Sequence, residues 1–255
     1  MRWTEPRRPT LTRYLFVHVL LISALLVTGA LFLRDSGWDL RVEDAFYTPA
    51  LHGFGMRHSV WLELIGHQLL LILPIGLGLL ALIAAIAASR FEPLRTWRGV
   101  LWAMLASVCI GPLLIGVLKQ FTAAHCPWDL VRYGSYADYV QHWFAHARAD
   151  AGHCLPNAHA GAGFTLIALY FAGWASGRAT WRWWGLAAAI AAGIVFSLVR
   201  MVQGAHFPSH SLWAAAVDWL VTSLFFLPLI VRRRADHNSG AAQGVAESVN
   251  RHDFQ

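Results

Sequence analysis

The chain has 255 residues, of which 57% are hydrophobic and only 13% charged, with a formal net charge of +6. That charge fraction is about half the globular average, and long uncharged stretches produce it, leaving little chain for a water-soluble domain. The positive excess sits in arginine clusters between apolar stretches, so no nucleic-acid partner is needed to explain it.

The first apolar stretch, Tyr14–Leu33, follows Arg2, Arg7, Arg8 and Arg13. It is too long for an ordinary signal-peptide core, and Gly-Ala-Leu-Phe-Leu-Arg at 29–34 is a poor cleavage site. A retained membrane helix is expected. The 34–60 connection carries Trp38, Phe46, Tyr47 and Phe54 among charges, with Trp61 just beyond. It reads either as a partly helical segment lying on the bilayer or as an ordinary aromatic belt.

Leu69–Ala88 is the second uncharged stretch and Val100–Leu118 the third. The 119–157 connection is the longest and is rich in aromatics: Trp128, Tyr133, Tyr136, Tyr139 and Trp143. Ala160–Gly177 and Trp183–Val199 are again free of charge, and Leu212–Val231 is interrupted only by Asp218. Stretches near 20 residues cross the hydrocarbon core as helices. The expectation is an all-α, polytopic six-helix transmembrane bundle with spans near 14–33, 63–88, 100–118, 159–177, 183–200 and 210–231. The 235–255 tail is polar and reads as disordered.

With alternating sides, the N-terminal tail and the 89–98, 178–182 and C-terminal segments together hold thirteen of the twenty Arg and Lys residues. The other side holds seven. This bias puts both termini in the cytoplasm.

Three polar segments then fall on the opposite face. They are Lys119–Pro127 (K-Q-F-T-A-A-H-C-P), Pro156–His159 (P-N-A-H) and Arg200–His210 (R-M-V-Q-G-A-H-F-P-S-H). Two histidines, a lysine and an arginine suit phosphoryl transfer. The cations hold phosphate oxygens, one imidazole attacks phosphorus, and the other protonates the leaving group.

These segments resemble the signature of the type 2 phosphatidic acid phosphatases, K-x6-R-P, P-S-G-H and S-R-x5-H-x3-D. Spacing and order match in all three, across about a third of the chain. Five identities differ: Cys126 for Arg, Asn157 for Ser, Ala158 for Gly, Val199 for Ser and His210 for Asp. The resemblance implies that His206 is the nucleophile forming a phosphohistidine and that His159 is the general acid. It implies that His210 orients His206, where the family has a carboxylate. Lys119, Arg200, Asn157 and the backbone of Ala158 are then the phosphate ligands. The lost arginine at 126 leaves His125, His153, Arg132 and Arg148 as compensating candidates.

Cys109 falls within the third stretch and reads as a small apolar residue. Cys126 and Cys154 flank two active-site segments on the oxidising side, where a disulfide is expected; a metal site with His125 and His153 is the rival. The family uses no metal, which favours the disulfide, and the resemblance implies no cofactor. Asp218 lies eight residues, about 12 Å of helix, beyond His210. A structural hydrogen bond to another span, near His67 or Glu63, is expected for it.

The implied activity is hydrolysis of a phosphomonoester or pyrophosphate on a membrane lipid, at the periplasmic face of a bacterial inner membrane. Phosphatidic acid, phosphatidylglycerophosphate, undecaprenyl pyrophosphate and lipid A phosphate all fit. A lipid-to-lipid phosphotransferase on the same scaffold stays open, as does a catalytically weak lipid-binding or transport protein.

Overall fold

The computed structural model describes residues 9–139 and 152–231. The first helix, α1, runs over Leu11–Asp35 and contains a π-helical stretch, Leu15–Leu21. Thr10 caps it by accepting from the Arg13 backbone N–H. Phe16, Leu20, Leu25 and Phe32 stay exposed along its length. On a water-soluble protein such a ridge would be an aggregation hazard; in a bilayer it is the face that meets lipid.

Between α1 and the next long helix the chain folds on itself. A short helix, α2 (Trp38–Asp44), follows Gly37. Two-residue strands β1 (Tyr47–Thr48) and β2 (Gly53–Phe54) then pair antiparallel, Tyr47 opposite Phe54 and Thr48 opposite Gly53. The segment is partly helical, as expected, and it also packs onto the bundle. Phe54, Leu130, Tyr133, Ala137 and Phe207 form one buried cluster, joining it to the 127–139 loop and to the start of the last helix. Arg132 pairs with Asp44 through two hydrogen bonds of 2.9 and 2.6 Å, and the Tyr133 hydroxyl reaches Asp44 at 3.0 Å. Phe46, Tyr47 and Phe54 thus help build a cap over one end of the bundle, while Trp38 and Trp61 stay exposed.

A π-helical turn, Leu62–Leu69, leads into α3 (Ile72–Arg90). Helix α4 (Arg98–Lys119) follows a 3-10 segment, Glu92–Trp97. The stretch expected as a single fourth span is two shorter helices, α5 (Ala158–Phe164) and α6 (Ile167–Ala175), joined by a tight turn at Thr165–Leu166. Helices α7 (Ala179–Val202) and α8 (Pro208–Val231) complete the fold. Among the described residues five helices are long and apolar enough to cross a membrane: α1, α3, α4 with its lead-in, α7 and α8.

Helix α8 is the axis. It packs against α1, α4, α5 and α6 and is the most deeply buried of the five. At the end far from the cap its contacts are aromatic. Trp219 Nε1 donates to the His18 carbonyl at 2.8 Å, and the Tyr14 hydroxyl donates to the Ser223 carbonyl at 2.7 Å. In the same core Phe171 stacks on Phe226 and meets Trp219 edge-to-face.

Asp218 lies in the middle of α8, 1% exposed. Its carboxylate fills the space that a side chain at Gly111 of α4 would need, and Gly161 of α5 lies alongside. The expected hydrogen bond to another span is not made: neither carboxylate oxygen has a partner among the described residues. Glycine at 111 is what lets the acid fit, because a Cβ there would sit 2.1 Å from Oδ1.

Candidate active site

The C-terminal ends of α4 and α7 and the N-terminal ends of α5 and α8 meet under the cap. They carry Lys119, Arg200, Asn157–His159 and His210, in that order, with His206 in the turn between α7 and α8. Backbone bonds stitch these ends together. Asn157 N–H donates to the His210 carbonyl at 3.0 Å, Cys154 N–H to Ala124 at 2.9 Å, and Trp128 N–H to Gly204 at 2.9 Å. The Thr122 hydroxyl adds a bond to the Leu155 carbonyl at 2.7 Å. Cys126 and Cys154 are joined, with Cα atoms 5.3 Å apart.

The turn that presents His206 has a local cause. Gly204 takes φ +71°, and the N–H groups of Gly204 and Ala205 return to the carbonyls of Met201 and Arg200. This is a helix C-terminus closed by a left-handed glycine. A Cβ at 204 would also strike the Phe54 ring at 2.2 Å. Pro208 then starts α8 at a position where its missing N–H costs nothing. Asp39 of the cap closes that end: Oδ1 accepts the Ser209 N–H at 3.0 Å and Oδ2 accepts the Ser209 hydroxyl.

His206 is 6% exposed and His210 2%. Their Nδ1 atoms face each other at 3.4 Å. In that pairing one Nδ1 carries the proton and the other receives it, which leaves Nε2 of His206 as its second nitrogen. Burial drives the His206 pKa well below its ordinary value, and the nearby His210, Lys119, Arg200 and His159 push it the same way. The imidazole is therefore neutral at physiological pH, the form a nucleophile requires.

Arg200 donates to Gln203 Oε1 at 2.8 Å, and its guanidinium lies 5.7 Å from the centre of the Trp128 ring. Arg57, which the sequence did not single out, lies over the same indole at 4.6 Å. Arg57, His58, Glu63 and Gln68 line a cavity of about 460 Å³ beside it. Of the candidates to replace the lost arginine, Arg132 is tied to Asp44 and His153 faces the Lys119 carbonyl at 2.9 Å. The His125 ring packs edge-on against Tyr136. Arg148 lies outside the described residues, as do the 235–255 tail and the first arginines of the chain.

His159 stacks on Phe196 with ring centres 4.8 Å apart, and its Nε2 lies 2.7 Å from the Gly66 carbonyl. Asn157 is fully buried. Its Oδ1 caps α5 by accepting from Ala160 N–H, and its Nδ2 donates to Ser211 Oγ at 3.1 Å. In this state both ends of the amide hold the fold together. Ala158 opens α5, whose first-turn N–H groups suit an anion.

The three segments, distant in sequence, thus share one end of the bundle with their order and spacing intact. A family profile described as the PAP2 superfamily matches residues 100–234. The chain belongs to the PAP2 superfamily. Membership supports phosphatase or phosphotransferase chemistry on lipid-like phosphorylated substrates, and the apolar helices mark a multi-pass membrane protein. No curated protein and no solved structure shows a significant match to the chain.

Neither Arg57 nor Asp39 carries a sequence signal. Each acts through a contact with a residue 71 or more positions away, and only the folded cap brings them to the site.

Proposed function

We propose that this member of the PAP2 superfamily hydrolyses a phosphomonoester or pyrophosphate on a membrane lipid through a phosphohistidine on His206. The observation that carries the reading is the Nδ1–Nδ1 pair of His206 and His210, buried close to the cations Lys119 and Arg200. Lys119, Arg200 and Arg57 hold the phosphate oxygens, the Ala158 N–H adds to them, and Asn157 joins when its amide exchanges Ser211 for phosphate. Nε2 of His206 attacks phosphorus while His210 takes up the Nδ1 proton. His159 protonates the departing oxygen. Water then attacks the phosphohistidine with His159 acting as base, His210 returns the Nδ1 proton as the His206 ring departs, and inorganic phosphate leaves.

The donors are protein side chains and one backbone N–H, so the reaction as written calls for no metal or cofactor. In this reading α5 and α6 together form a sixth crossing, both termini are cytoplasmic, and the site faces the periplasm of a bacterial inner membrane. The arginine distribution supports that orientation.

The test is phosphate release by purified protein, without added metal, from phosphatidic acid, phosphatidylglycerophosphate, undecaprenyl pyrophosphate and lipid A phosphate. A His206→Ala variant is the control. Turnover of one of these by the parent and none by the variant supports the proposal. Equal turnover by both removes it.

A further inference from the structure

Two departures from the family pattern converge on one point. Cys126 stands where the family has arginine and His210 where it has aspartate. Through its partner Cys154, the cysteine reaches the imidazole pair. Cys154 Sγ lies 3.4 Å from Nδ1 of His206, and that Nδ1 lies 3.4 Å from Nδ1 of His210. One ligand atom from each of Cys154, His206 and His210 lies within 4.8 Å of the other two. A tetrahedral ion with a sulfur ligand at about 2.3 Å and nitrogens at about 2.0–2.1 Å keeps its ligand atoms roughly 3.3–3.6 Å apart. The two measured edges already have that length.

The geometry points to a transition-metal site, made of Cys154, His206 and His210, that the Cys126–Cys154 disulfide masks and that reduction opens to a zinc-class ion. One thiolate and two neutral imidazoles form a donor set suited to zinc and its spectroscopic stand-in cobalt, with the fourth position left for water or a phosphate oxygen. An ion bound there occupies the His206 nitrogen that otherwise meets His210, and it withdraws electron density from the imidazole. Loss of turnover follows. The inhibition, unlike the binding, rests on His206 being the nucleophile.

The opening step is thiol–disulfide exchange with a dithiol reductant. A reductant thiolate attacks Cys126, which is partly exposed, whereas Cys154 is 1% exposed. The S–S bond breaks, and its electron pair leaves on Cys154 as a thiolate beside the two rings. The second reductant thiol resolves the mixed disulfide, leaving Cys126 reduced and the dithiol oxidised. The Cys154 thiolate then either takes a proton or coordinates the ion.

Cobalt(II) binding to the full-length protein in detergent tests the site. Three samples are compared: the oxidised parent, the parent reduced with a phosphine that is then removed, and Cys126→Ser, which frees Cys154 without a reductant. The reduced parent and Cys126→Ser should each take up one cobalt with a thiolate-to-metal charge-transfer band, and the oxidised parent should show no such band. Cys126→Ser combined with Cys154→Ser should lose the band and bind about 100-fold more weakly or worse. Absence of the band from the reduced parent overturns the proposal, as does a band that survives Cys154→Ser. Cys109 remains in every sample and controls for adventitious thiol binding. Zinc titration of lipid phosphatase activity is read separately. Cobalt uptake without zinc inhibition upholds the site and removes His206 from the catalytic role.

Discussion

Asp39 and Ser209 are 170 positions apart, yet the carboxylate of one caps the first turn of the helix that holds the other. The next residue of that helix is His210, so the cap and the imidazole pair share a single anchor. Asp39→Ala leaves the Ser209 N–H and hydroxyl without their acceptor and should cost about 1–3 kcal/mol. Asp39→Asn keeps one acceptor oxygen and should cost less. Thermal unfolding in detergent measures both. Equal stability of Asp39→Ala and the parent would show that the cap contributes nothing.

His206→Ala should abolish turnover, and His159→Ala should lower it by about 100-fold or more if it supplies general-acid catalysis. Single-turnover experiments with labelled phosphate should trap an acid-labile phosphoprotein in the parent and none in His206→Ala.

The pH profile follows from the surroundings of His206. Burial and the neighbouring histidines and cations lower its pKa, so activity should fall on acidification only below pH 6.5, the ordinary histidine value. His210→Asp places a carboxylate beside the ring, favours the imidazolium, and should move the acidic limb to higher pH. A profile unchanged in this variant takes His210 out of the mechanism.

Arg57 and Arg200 both lie over the Trp128 indole, and the proposed reaction uses both as phosphate ligands. A guanidinium–phosphate hydrogen bond is worth about 1.5–3 kcal/mol, so Arg57→Ala should lower kcat/KM by roughly 10- to 100-fold. Arg132→Ala, which breaks only the pair with Asp44, should affect stability more than kcat/KM. Equal kinetic losses in the two variants would mean that Arg57 is a structural residue.

Glu43 is fully buried in the cap, and its carboxylate oxygens have no hydrogen-bond partner among the described residues. Burial, reinforced by Asp39 and Asp44, pushes its pKa from 4.5 to about 10. The folded state therefore holds this proton where the unfolded chain has released it. Its contribution is fully present below pH 4.5 and is lost as pH rises towards 10. At pH 7 the loss amounts to about 3 kcal/mol. Glu43→Gln keeps the shape without the titration, so its advantage in unfolding temperature over the parent should grow between pH 5 and 8. A constant difference across that range would contradict the assignment.

The parts of this fold that are local in the chain could be read from it. Apolar length alone marks α1, α3, α4, α7 and α8, and fixed spacing marks Lys119, His159, Arg200 and His206. What escaped is non-local. The folding of 34–60 into a cap depends on Phe54 meeting Tyr133 and Phe207, which no periodicity announces. The break at Thr165–Leu166 lies inside an uninterrupted apolar run, where hydropathy registers length but not backbone geometry. Asp218 was expected to seek a polar partner on another span. It is accommodated instead by a missing side chain at Gly111, a complementarity of shape that composition does not encode.

The pairing of α1 with α8 also bears on how the protein is made. Ribosomes deliver α1 to the membrane long before α8. Tyr14 therefore waits in lipid for the Ser223 carbonyl, and Asp39 waits for Ser209. Every intermediate during synthesis lacks the axis on which four other helices pack. The imidazole pair, with one member on α8, is assembled only once α8 has been inserted. A chain inserted only as far as α7 therefore lacks the pair, however completely its earlier helices have packed.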